Sequence, residues 1–327
     1  MPVHSISPNA PLPEAATNAA LKTCLPCDPA HAKTAQVRTW CTWLEAGGVL
    51  YFPQTPVPIA EDDLRFLLGH FQTGSRLHKN IAYKPGLDQL TGLVTGFGRR
   101  TASEETVVQL RAVMRRYSAS VSAYLTSFLV PYQQRWQMDY ASYRPVEEHG
   151  RNLPLHRRND LLHTDAFPTR PTYGRRILRF FHNIHPTRTR DWVLGESFEH
   201  VVNAFAPTVV ALPKPDGPWM RTGKRIASVT GVAKLAPRWK RTPYDEFMRR
   251  LHNAMKEDEN FQQSCAREDF HFAPGSSWMV YTDTVPHAVT GGQFALEQTF
   301  LVDPAAMVTP ESAPLAVLER MSGARLV

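Results

Sequence analysis

The chain has 327 residues, and 43% of them are hydrophobic, so it is long and apolar enough to bury a sizeable core. Its net charge of +7, from 37 basic and 30 acidic residues, favours an anionic partner such as nucleic acid, a membrane surface or an acidic small molecule. The first residues lack a secretory signal, no apolar run is long enough to span a membrane, and four cysteines are too few for a disulfide framework. We therefore expect a cytoplasmic protein rather than a secreted scaffold or a membrane-spanning chain.

The N-terminal segment, residues 1–35, is rich in Ala, Pro, Thr and Asn and is predicted to be loosely ordered. It contains Cys24 and Cys27 in a C-x-x-C arrangement, with His31 close behind. A single pair without a second one is weak evidence for zinc or redox chemistry. A dedicated site and incidental thiols in a mobile tail both remain open.

Residues 36–131 are predicted to form a mainly helical support. The pattern predicts helices over residues 38–44 and 62–71, with a strand over 49–52 between them. A long helix should begin after Ser103, a suitable N-cap followed by two glutamates, and should end before Pro131.

Residues 132–303 are predicted to form a β-rich core within a single domain, residues 36–327. Strands are predicted over residues 136–143, 177–184, 277–282 and 294–302, and a helix over 196–205. A second helix, with Thr242 as N-cap and Pro243 at its first position, should run to about residue 256. Gly291 and Gly292 lie between two strand-like runs and suggest a hairpin. The predicted fold is mainly β with flanking helices (α+β), built on a double-stranded β-helix of the jelly-roll or cupin-like type.

Two further segments complete this division of the chain. Residues 206–242 are predicted to be a long irregular insertion, which carries eight basic residues and one acid, Asp216. Residues 304–327 are expected to be a C-terminal tail.

The segment LLHTDAFPTRPTYGRRILRFFHNIHP, residues 161–186, carries the first chemical signal. His163 and Asp165 would point to the same side of an extended chain, because side chains there alternate between faces. His287, at the end of a later strand, can reach them across paired strands. Two histidines and one carboxylate form the facial triad that holds non-haem Fe(II) and leaves positions open for a co-substrate and O2.

Other ligand pairs compete with this triad. His182 and His185 form an H-x-x-H, but in a strand they would lie on opposite faces, which suits shared metal binding poorly. Glu199 and His200 are another possible pair. An ordinary side-chain contact between His163 and Asp165 is also an alternative.

A 2-oxoglutarate co-substrate would need a cation for its distal carboxylate, and arginine binds carboxylates with two hydrogen bonds. The segment AVTGGQFALEQTF after His287 contains no basic residue. Arg179 is the favoured substitute, and Asn183, on the same strand face, is predicted to contact the co-substrate too. Arg175 and Arg176 are competitors that could instead bind substrate.

Several segments resemble the bacterial Kdo hydroxylases, where Kdo is 3-deoxy-D-manno-oct-2-ulosonic acid. They are ASYRPVEEHGR at 141–151, RRNDLLHTDAFPTRPTYGRRILRFFHNIHP at 157–186, and the closing VPHAVTGG and EQTFLVD. The similarity extends from about residue 39 to residue 304. The resemblance implies an Fe(II)/2-oxoglutarate-dependent dioxygenase in which His163, Asp165 and His287 hold the iron. It further implies that the enzyme uses O2 to hydroxylate position 3 of Kdo attached to lipid A, giving D-glycero-D-talo-oct-2-ulosonic acid (Ko).

The expected partner is therefore Kdo-lipid A, an anionic glycolipid, and no nucleic acid is expected. The basic insertion could receive the carboxylates and phosphates of this substrate during peripheral contact with the inner face of a membrane. Two alternatives remain open: a dioxygenase of the same fold that acts on a protein or nucleic acid, and a catalytically silent barrel used as a basic binding module.

Overall fold

The computed structural model describes residues 24–26, 34–70, 80–85, 92–96, 103–206, 209–230 and 239–327. Most of the N-terminal tail, including the Cys24, Cys27 and His31 side chains, lies outside the described residues, which comprise only 24–26 and 34–35 of it. The same holds for Lys234 and Arg238 of the basic insertion.

The helices and strands follow in chain order. The helices are α1 (Thr34–Glu45), α2 (Glu61–His70), α3 (Glu104–Phe128), α4 (Phe198–Phe205), α5 (Pro218–Val229), α6 (Pro243–Glu257), α7 (Glu259–Ser264) and α8 (Pro314–Ser322). The strands are β1 (Cys24–Pro26), β2 (Val49–Phe52), β3 (Ile81–Lys84), β4 (Leu93–Thr95), β5 (Trp136–Arg144), β6 (Arg176–Asn183), β7 (Arg190–Leu194), β8 (Glu268–Phe272), β9 (Ser277–Tyr281), β10 (His287–Gly291) and β11 (Ala295–Val302).

The strands form two sheets. The larger sheet has the order β1-β2-β9-β6-β11-β5-β3-β4, and the smaller one has the order β10-β7-β8. Apart from the parallel pair β1–β2, the described strand pairs are antiparallel. With helices on the outside, these two sheets are the predicted double-stranded β-helix core, and the predicted fold class is confirmed.

Strand β6 separates two cores because both of its faces are buried. Leu178 and Phe180 point towards α1 and α3 and belong to the larger hydrophobic cluster. Phe181 points the other way, into the space between the two sheets, where Trp192 and Trp278 join it. This double burial explains the nearly continuous apolar run in the sequence, which is typical of a strand covered on both sides.

Two helix starts follow from local sequence rules. Ser103 Oγ accepts a hydrogen bond from the Thr106 amide at 3.2 Å, which confirms the predicted N-cap of α3. Thr242 and Asp245 form a reciprocal capping box at the start of α6. Both caps satisfy amide groups that the first helical turn cannot bond internally.

The predicted hairpin around Gly291 and Gly292 is wrong. Strand β10 pairs with β7 in the smaller sheet, whereas β11 pairs with β5 and β6 in the larger one. The chain crosses between sheets at Gly292, whose φ of +103° suits glycine. The glycine pair therefore marks a change of sheet, which local sequence does not distinguish from a hairpin turn.

The predicted irregularity of residues 206–242 is also wrong in part. Helix α5 begins at Pro218, a favoured first helical residue, and runs for 12 residues inside this insertion. Three of its large apolar residues, Trp219, Ile226 and Val229, are exposed. These residues face solvent, whereas the apolar residues of a surface helix usually face the core.

The C-terminal segment, residues 304–327, contains α8 and packs against the protein. Val317, Leu318 and Leu326 are buried in one cluster with residues of α4 and α6. This cluster supports α6 from outside the sheets.

The buried carboxylate of Glu45 fastens α1 to the segment that follows β11. It accepts hydrogen bonds from the Tyr132 hydroxyl at 2.8 Å, the Val308 amide at 2.9 Å and the Thr309 amide at 2.6 Å. Glu45 is fully buried, so each donor would lose its partner without gaining water if the carboxylate were removed.

We expect Glu45→Ala to lower the free energy of unfolding by about 3 kcal/mol, because it leaves several buried donors unsatisfied. Urea denaturation followed by circular dichroism measures this change. The matched control is Glu311→Ala, which removes an exposed carboxylate from the same region and should leave stability nearly unchanged. Equal stability of the two variants would show that Glu45 does not fasten α1.

His182 makes the fold sensitive to acid. Its side chain is buried, its Nδ1 atom has no hydrogen-bond partner among the described residues, and burial lowers its pKa to about 4. In the unfolded chain the imidazole returns to its ordinary pKa and binds a proton more readily. The unfolded state therefore gains protons first as the pH falls, and stability is lost between the two pKa values.

We expect His182→Gln to remove part of this loss. Between about pH 7.5 and about pH 5, the variant should lose about 2 kcal/mol less stability than the wild type. Urea denaturation at the two pH values measures the difference, and His149→Gln, at an exposed histidine, should follow the wild type. Parallel pH profiles for wild type and His182→Gln would contradict this assignment.

Candidate metal centre

Backbone hydrogen bonds bring His163, Asp165 and His287 together. His163 and His287 exchange two bonds, from the His163 amide to the His287 carbonyl at 3.1 Å and from the His287 amide to the His163 carbonyl at 3.0 Å. The Asp165 amide donates to the carbonyl of Thr282, directly after β9, at 2.8 Å. The three side chains thus reach one place although they are far apart in sequence.

Their ligand atoms are close enough to share one ion. His163 Nε2 lies 3.9 Å from Asp165 Oδ1, and His287 Nε2 lies 3.9 Å from Asp165 Oδ2. One possible ligand atom from each residue lies within 4.8 Å of the others. Among the described residues, this is the cluster of three or more His, Cys, Asp and Glu side chains that could hold a metal ion.

Both imidazoles are oriented for binding through Nε2. His163 Nδ1 lies 2.7 Å from the Leu161 carbonyl, and His287 Nδ1 lies 3.1 Å from the Val285 carbonyl. A carbonyl oxygen only accepts, so each Nδ1 must carry the proton and donate it. The lone pair of each neutral ring therefore lies on Nε2, as metal-binding histidines require.

The charge states fit a divalent cation. Burial lowers the pKa of both His163 and His287, so the rings are neutral near pH 7. Burial alone would raise the pKa of Asp165, but Arg179 and the two imidazoles hold it well below its usual range. Asp165 Oδ2 is buried and receives no hydrogen bond of good geometry from the residues that the structure describes. Two neutral nitrogens and an available carboxylate oxygen suit Fe(II).

Arg179 lies beside this cluster and joins it to a second carboxylate. Its guanidinium is 2.9 Å from Asp165 Oδ2 and 2.5 Å from Glu297 Oε1. Glu297 also forms an ion pair with Arg144 of β5. Within the described part of the protein, Arg179 Nε is buried without a hydrogen-bond partner.

Sequence reasoning missed both Glu297 and Arg144. Glu297 is the single acid in the buried strand β11, and Arg144 ends β5, opposite Ala295 of β11. The lone charged residue of β11 was the available signal, since charged residues are rarely buried without a partner.

Three other predicted site residues lie elsewhere, which corrects their assignments. The Asn183 amide donates to the carbonyls of Arg188 at 2.9 Å and Phe272 at 3.0 Å, so it fastens backbone rather than contacting a co-substrate. Arg176 is fully buried in an ion pair with Asp283, 2.9 Å away.

Arg175 is the third of these residues. It is exposed and donates to Gln137 at 2.7 Å. Like Arg176, it lies outside the cavity that contains the metal-ligand cluster, so neither arginine is placed to bind substrate there.

The competing ligand pairs do not form a metal site either. His182 lies with Ile59 and Leu64 at a separate cavity, and His185 Nδ1 accepts from the Arg188 amide at 2.9 Å. Glu199 and His200 are on α4, where Glu199 pairs with Arg320 and His200 pairs with Glu196.

The triad opens into a cavity of about 830 Å³. Its basic lining residues are Arg144, Arg151, Arg157, Arg179 and Lys256. Asp165 is the acidic residue among the described lining residues. A cavity with this excess of positive charge favours an anionic ligand.

Helix α6 contributes His252 and Lys256 to the same cavity. The His252 ring meets that of His163 edge-on at 4.9 Å, and burial lowers the pKa of His252 to about 4. Burial also lowers the pKa of Lys256 to about 8. Sequence reasoning missed both residues, although their i, i+4 spacing places them on one side of the predicted helix.

Comparison with known proteins agrees with this geometry. A family model described as 3-deoxy-D-manno-oct-2-ulosonic acid (Kdo) hydroxylase matches residues 28–325. The apo structure of the Kdo hydroxylase KdoO, a non-heme Fe(II) alphaketoglutarate dependent dioxygenase, is 32% identical, with 94% of this chain and 98% of that chain covered and a TM-score of 0.78. The KdoO complex with alphaketoglutarate and Fe(III) is 31% identical over the same shares, also with a TM-score of 0.78. No protein with a curated description matches this chain.

These matches confirm the resemblance seen in the sequence. The family model covers almost the whole chain, and the solved relatives are covered nearly from end to end. The His163–Asp165–His287 cluster fits the iron dependence that those structures are described as having. The chain belongs to the Kdo hydroxylase family of non-haem Fe(II)/2-oxoglutarate-dependent dioxygenases.

Proposed function

We propose that the protein hydroxylates position 3 of Kdo in Kdo-lipid A, giving Ko during assembly of the lipopolysaccharide inner core. The overall reaction converts 2-oxoglutarate, O2 and the sugar C–H group into succinate, CO2 and a C–OH group. The observation that carries this proposal is a metal-ligand triad at a cavity lined by five basic side chains, in a chain of this family.

The triad residues would hold the metal through His163 Nε2, His287 Nε2 and the Asp165 carboxylate. Bound Fe(II), with its co-substrate and O2, supplies the oxidising power that replaces a C–H bond by C–OH. The protein's task is to leave one side of the ion open and to keep bulk water away. Trp192 assists because its ring is stacked on His287, with centroids 5.4 Å apart, and shields that ligand.

Arg179 is the proposed anchor for the distal carboxylate of 2-oxoglutarate. Among the described residues its Nε atom is buried without a partner, so a carboxylate could accept a hydrogen bond there. Arg179 is already paired with Asp165 and Glu297, and Arg144 with Glu297, so this bond, rather than an excess of charge on the two arginines, would hold the co-substrate. The proximity of Arg179 to Asp165 would keep that anion beside the metal.

The remaining cavity residues suit a sugar acid. Lys256 donates to the backbone carbonyls of His156 at 3.1 Å and Arg158 at 2.7 Å, which fixes its ammonium group at the cavity wall. Arg151 and Arg157 add positive charge around the same space. Carboxylate and phosphate groups of Kdo-lipid A would be attracted to this wall.

Peripheral contact with a membrane surface is a second, separable part of the proposal, because lipid A is held in a bilayer. The described part of the basic insertion contributes Lys214, Arg221, Lys224, Lys240 and Arg241. Anionic lipid surfaces attract such groups by about 1 kcal/mol for each basic residue close to the surface.

The test is Fe(II)- and O2-dependent succinate formation from 2-oxoglutarate, with and without Kdo-lipid A. We expect Kdo-lipid A to stimulate succinate formation and to gain one hydroxyl group, which mass spectrometry detects. Stimulation by peptides or RNA but not by Kdo-lipid A would favour a different substrate. The absence of succinate from folded, iron-loaded protein would refute the enzymatic assignment.

We expect His163→Ala and His287→Ala each to reduce affinity for Fe(II) or Co(II) at least about a hundredfold, because loss of an outer-shell partner alone costs 10–100-fold. Anaerobic isothermal titration calorimetry measures this affinity directly. His182→Gln, a change at a buried histidine outside the cluster, should bind the metal as the wild type does. A His287→Ala variant that still binds tightly would remove His287 from the ligand set.

We expect Arg179→Ala to raise the KM for 2-oxoglutarate at least about tenfold, since a charge-assisted bond to a carboxylate is lost. Arg179→Lys should restore part of this affinity. Because Arg179 also contacts Asp165, Co(II) affinity must be measured alongside. Arg175→Ala is the matched control, and an unchanged KM in Arg179→Ala would move the anchor to another arginine.

A further inference from the structure

Helix α5 carries an exposed apolar stripe. The side chains of Trp219, Ile226 and Val229 are 91%, 58% and 85% exposed. At 3.6 residues per turn, positions 219, 226 and 229 lie on one side of the helix. A surface helix normally buries such a stripe, so its exposure marks an interaction surface.

The side of α5 next to the stripe faces the protein. Ala227 is buried there, and a Cβ atom at Gly223 would lie 3.1 Å from the ring of Trp239. The Lys224 ammonium donates to Asp216 at 2.5 Å and to the Arg241 carbonyl at 2.7 Å. Small side chains and one partly buried ion pair thus hold the helix with the stripe outward.

Positive charge flanks the stripe. Arg221 is exposed on α5, and Lys214 is exposed just before it. A cavity of about 570 Å³ between α5 and the start of α6 is lined by Lys214, Lys224, Arg241 and Arg250, with Asp216 and Glu246 as its acids. Apolar residues bordered by basic ones match the boundary between acyl chains and anionic headgroups.

The stripe is linked to the catalytic cavity by direct contacts. Lys224 of α5 binds the Arg241 carbonyl, and the Arg241 guanidinium donates to the Pro168 carbonyl at 2.7 Å. Pro168 lines the cavity that contains the metal-ligand triad. A lipid surface that met α5 would therefore lie next to a wall of this cavity.

We propose that Trp219, Ile226 and Val229, with the neighbouring basic residues, form a docking surface for an anionic lipid bilayer. Helix α5 would lie in the headgroup region, with its stripe towards the acyl chains and its basic residues at the phosphates. The role in delivering a lipid-linked sugar to the triad rests on the function proposed above, whereas bilayer binding itself does not.

A bilayer suits this surface better than a protein partner does. Stable protein complexes bury about 800 Å² on each partner, whereas the stripe consists of three side chains on one helix. Trp is also favoured at lipid–water interfaces, where an apolar ring and a polar N–H group are both satisfied. Within the described residues, no helix is long and apolar enough to cross a membrane.

The direct test is co-sedimentation of the full chain with vesicles of phosphatidylglycerol and phosphatidylcholine, compared with phosphatidylcholine alone. The variant is Trp219→Ser/Ile226→Ser/Val229→Ser. The control, Leu93→Ser/Val108→Ser/Val130→Ser, removes three other exposed apolar side chains, which lie outside α5. We expect the α5 variant to lose at least about tenfold in partitioning to anionic vesicles and to keep its unfolding temperature, while the control binds as the wild type does.

Arg221→Glu should weaken binding to anionic vesicles and make the remaining binding less sensitive to salt. Equal binding of wild type and α5 variant would overturn the proposal, and so would equal binding to neutral and anionic vesicles. Self-association of the wild type that the α5 variant lacks, seen by sedimentation equilibrium without lipid, would assign the stripe to a second copy of the chain and overturn the bilayer.

Activity separates this inference from the proposed function. Wild type that turns over Kdo-lipid A in detergent micelles but does not sediment with anionic vesicles would refute docking and keep the function. Wild type that sediments with vesicles through α5 but makes no succinate with Kdo-lipid A would refute the function and keep docking. If both hold, the α5 variant should show a raised KM for Kdo-lipid A in vesicles with an unchanged KM for 2-oxoglutarate.

Discussion

A buried chain of alternating charges, Asp165–Arg179–Glu297–Arg144, is the constraint on which the site depends. Burial of a single charge costs several kcal/mol, and each member is tolerated because its neighbour has the opposite sign. Loss of any one member would leave an uncompensated charge in the interior. Burial alone would raise the pKa of Asp165, but its neighbour Arg179 keeps the carboxylate ionised without metal. Metal binding therefore does not have to compete with a proton at this carboxylate.

This series of alternating charges is possible because both faces of β6 are buried. On one face, Leu178 and Phe180 pack on the helices, so that face supplies hydrophobic stabilisation. The other face is left for Arg179 and Phe181, between the sheets. The smaller sheet then supplies His287, fastened to His163 by two backbone bonds. One face of β6 thus stabilises the fold, and the opposite face carries the site. Because the sheet is rigid, it controls the distance between Arg179 and the metal ligands.

Structural features that depend on residues close together in sequence were predictable. The caps at Ser103 and Thr242 follow from side chains that bond the amide three residues later. The cluster of His163 and Asp165 follows from alternation in an extended chain, and His287 follows from its place at a strand end. The roles of Arg144 and Glu297 depend on the pairing of β5 with β11, which residue spacing does not determine. The crossing at Gly292 was mispredicted for the same reason, since a glycine pair between two strand-like runs is compatible with both a hairpin and a change of sheet.

Under the proposed function, the exposed stripe of α5 and the basic cavity would meet the two ends of one substrate. Kdo-lipid A has a charged sugar and an apolar tail, and no single surface satisfies both in water. The basic side chains that line the cavity would attract the sugar end. The stripe would meet the lipid end from outside, and the small residues Gly223 and Ala227 give α5 a side on which it can pack against the protein. The Lys224–Arg241–Pro168 contacts join α5 to the cavity wall, so a bilayer bound at α5 would lie beside the cavity.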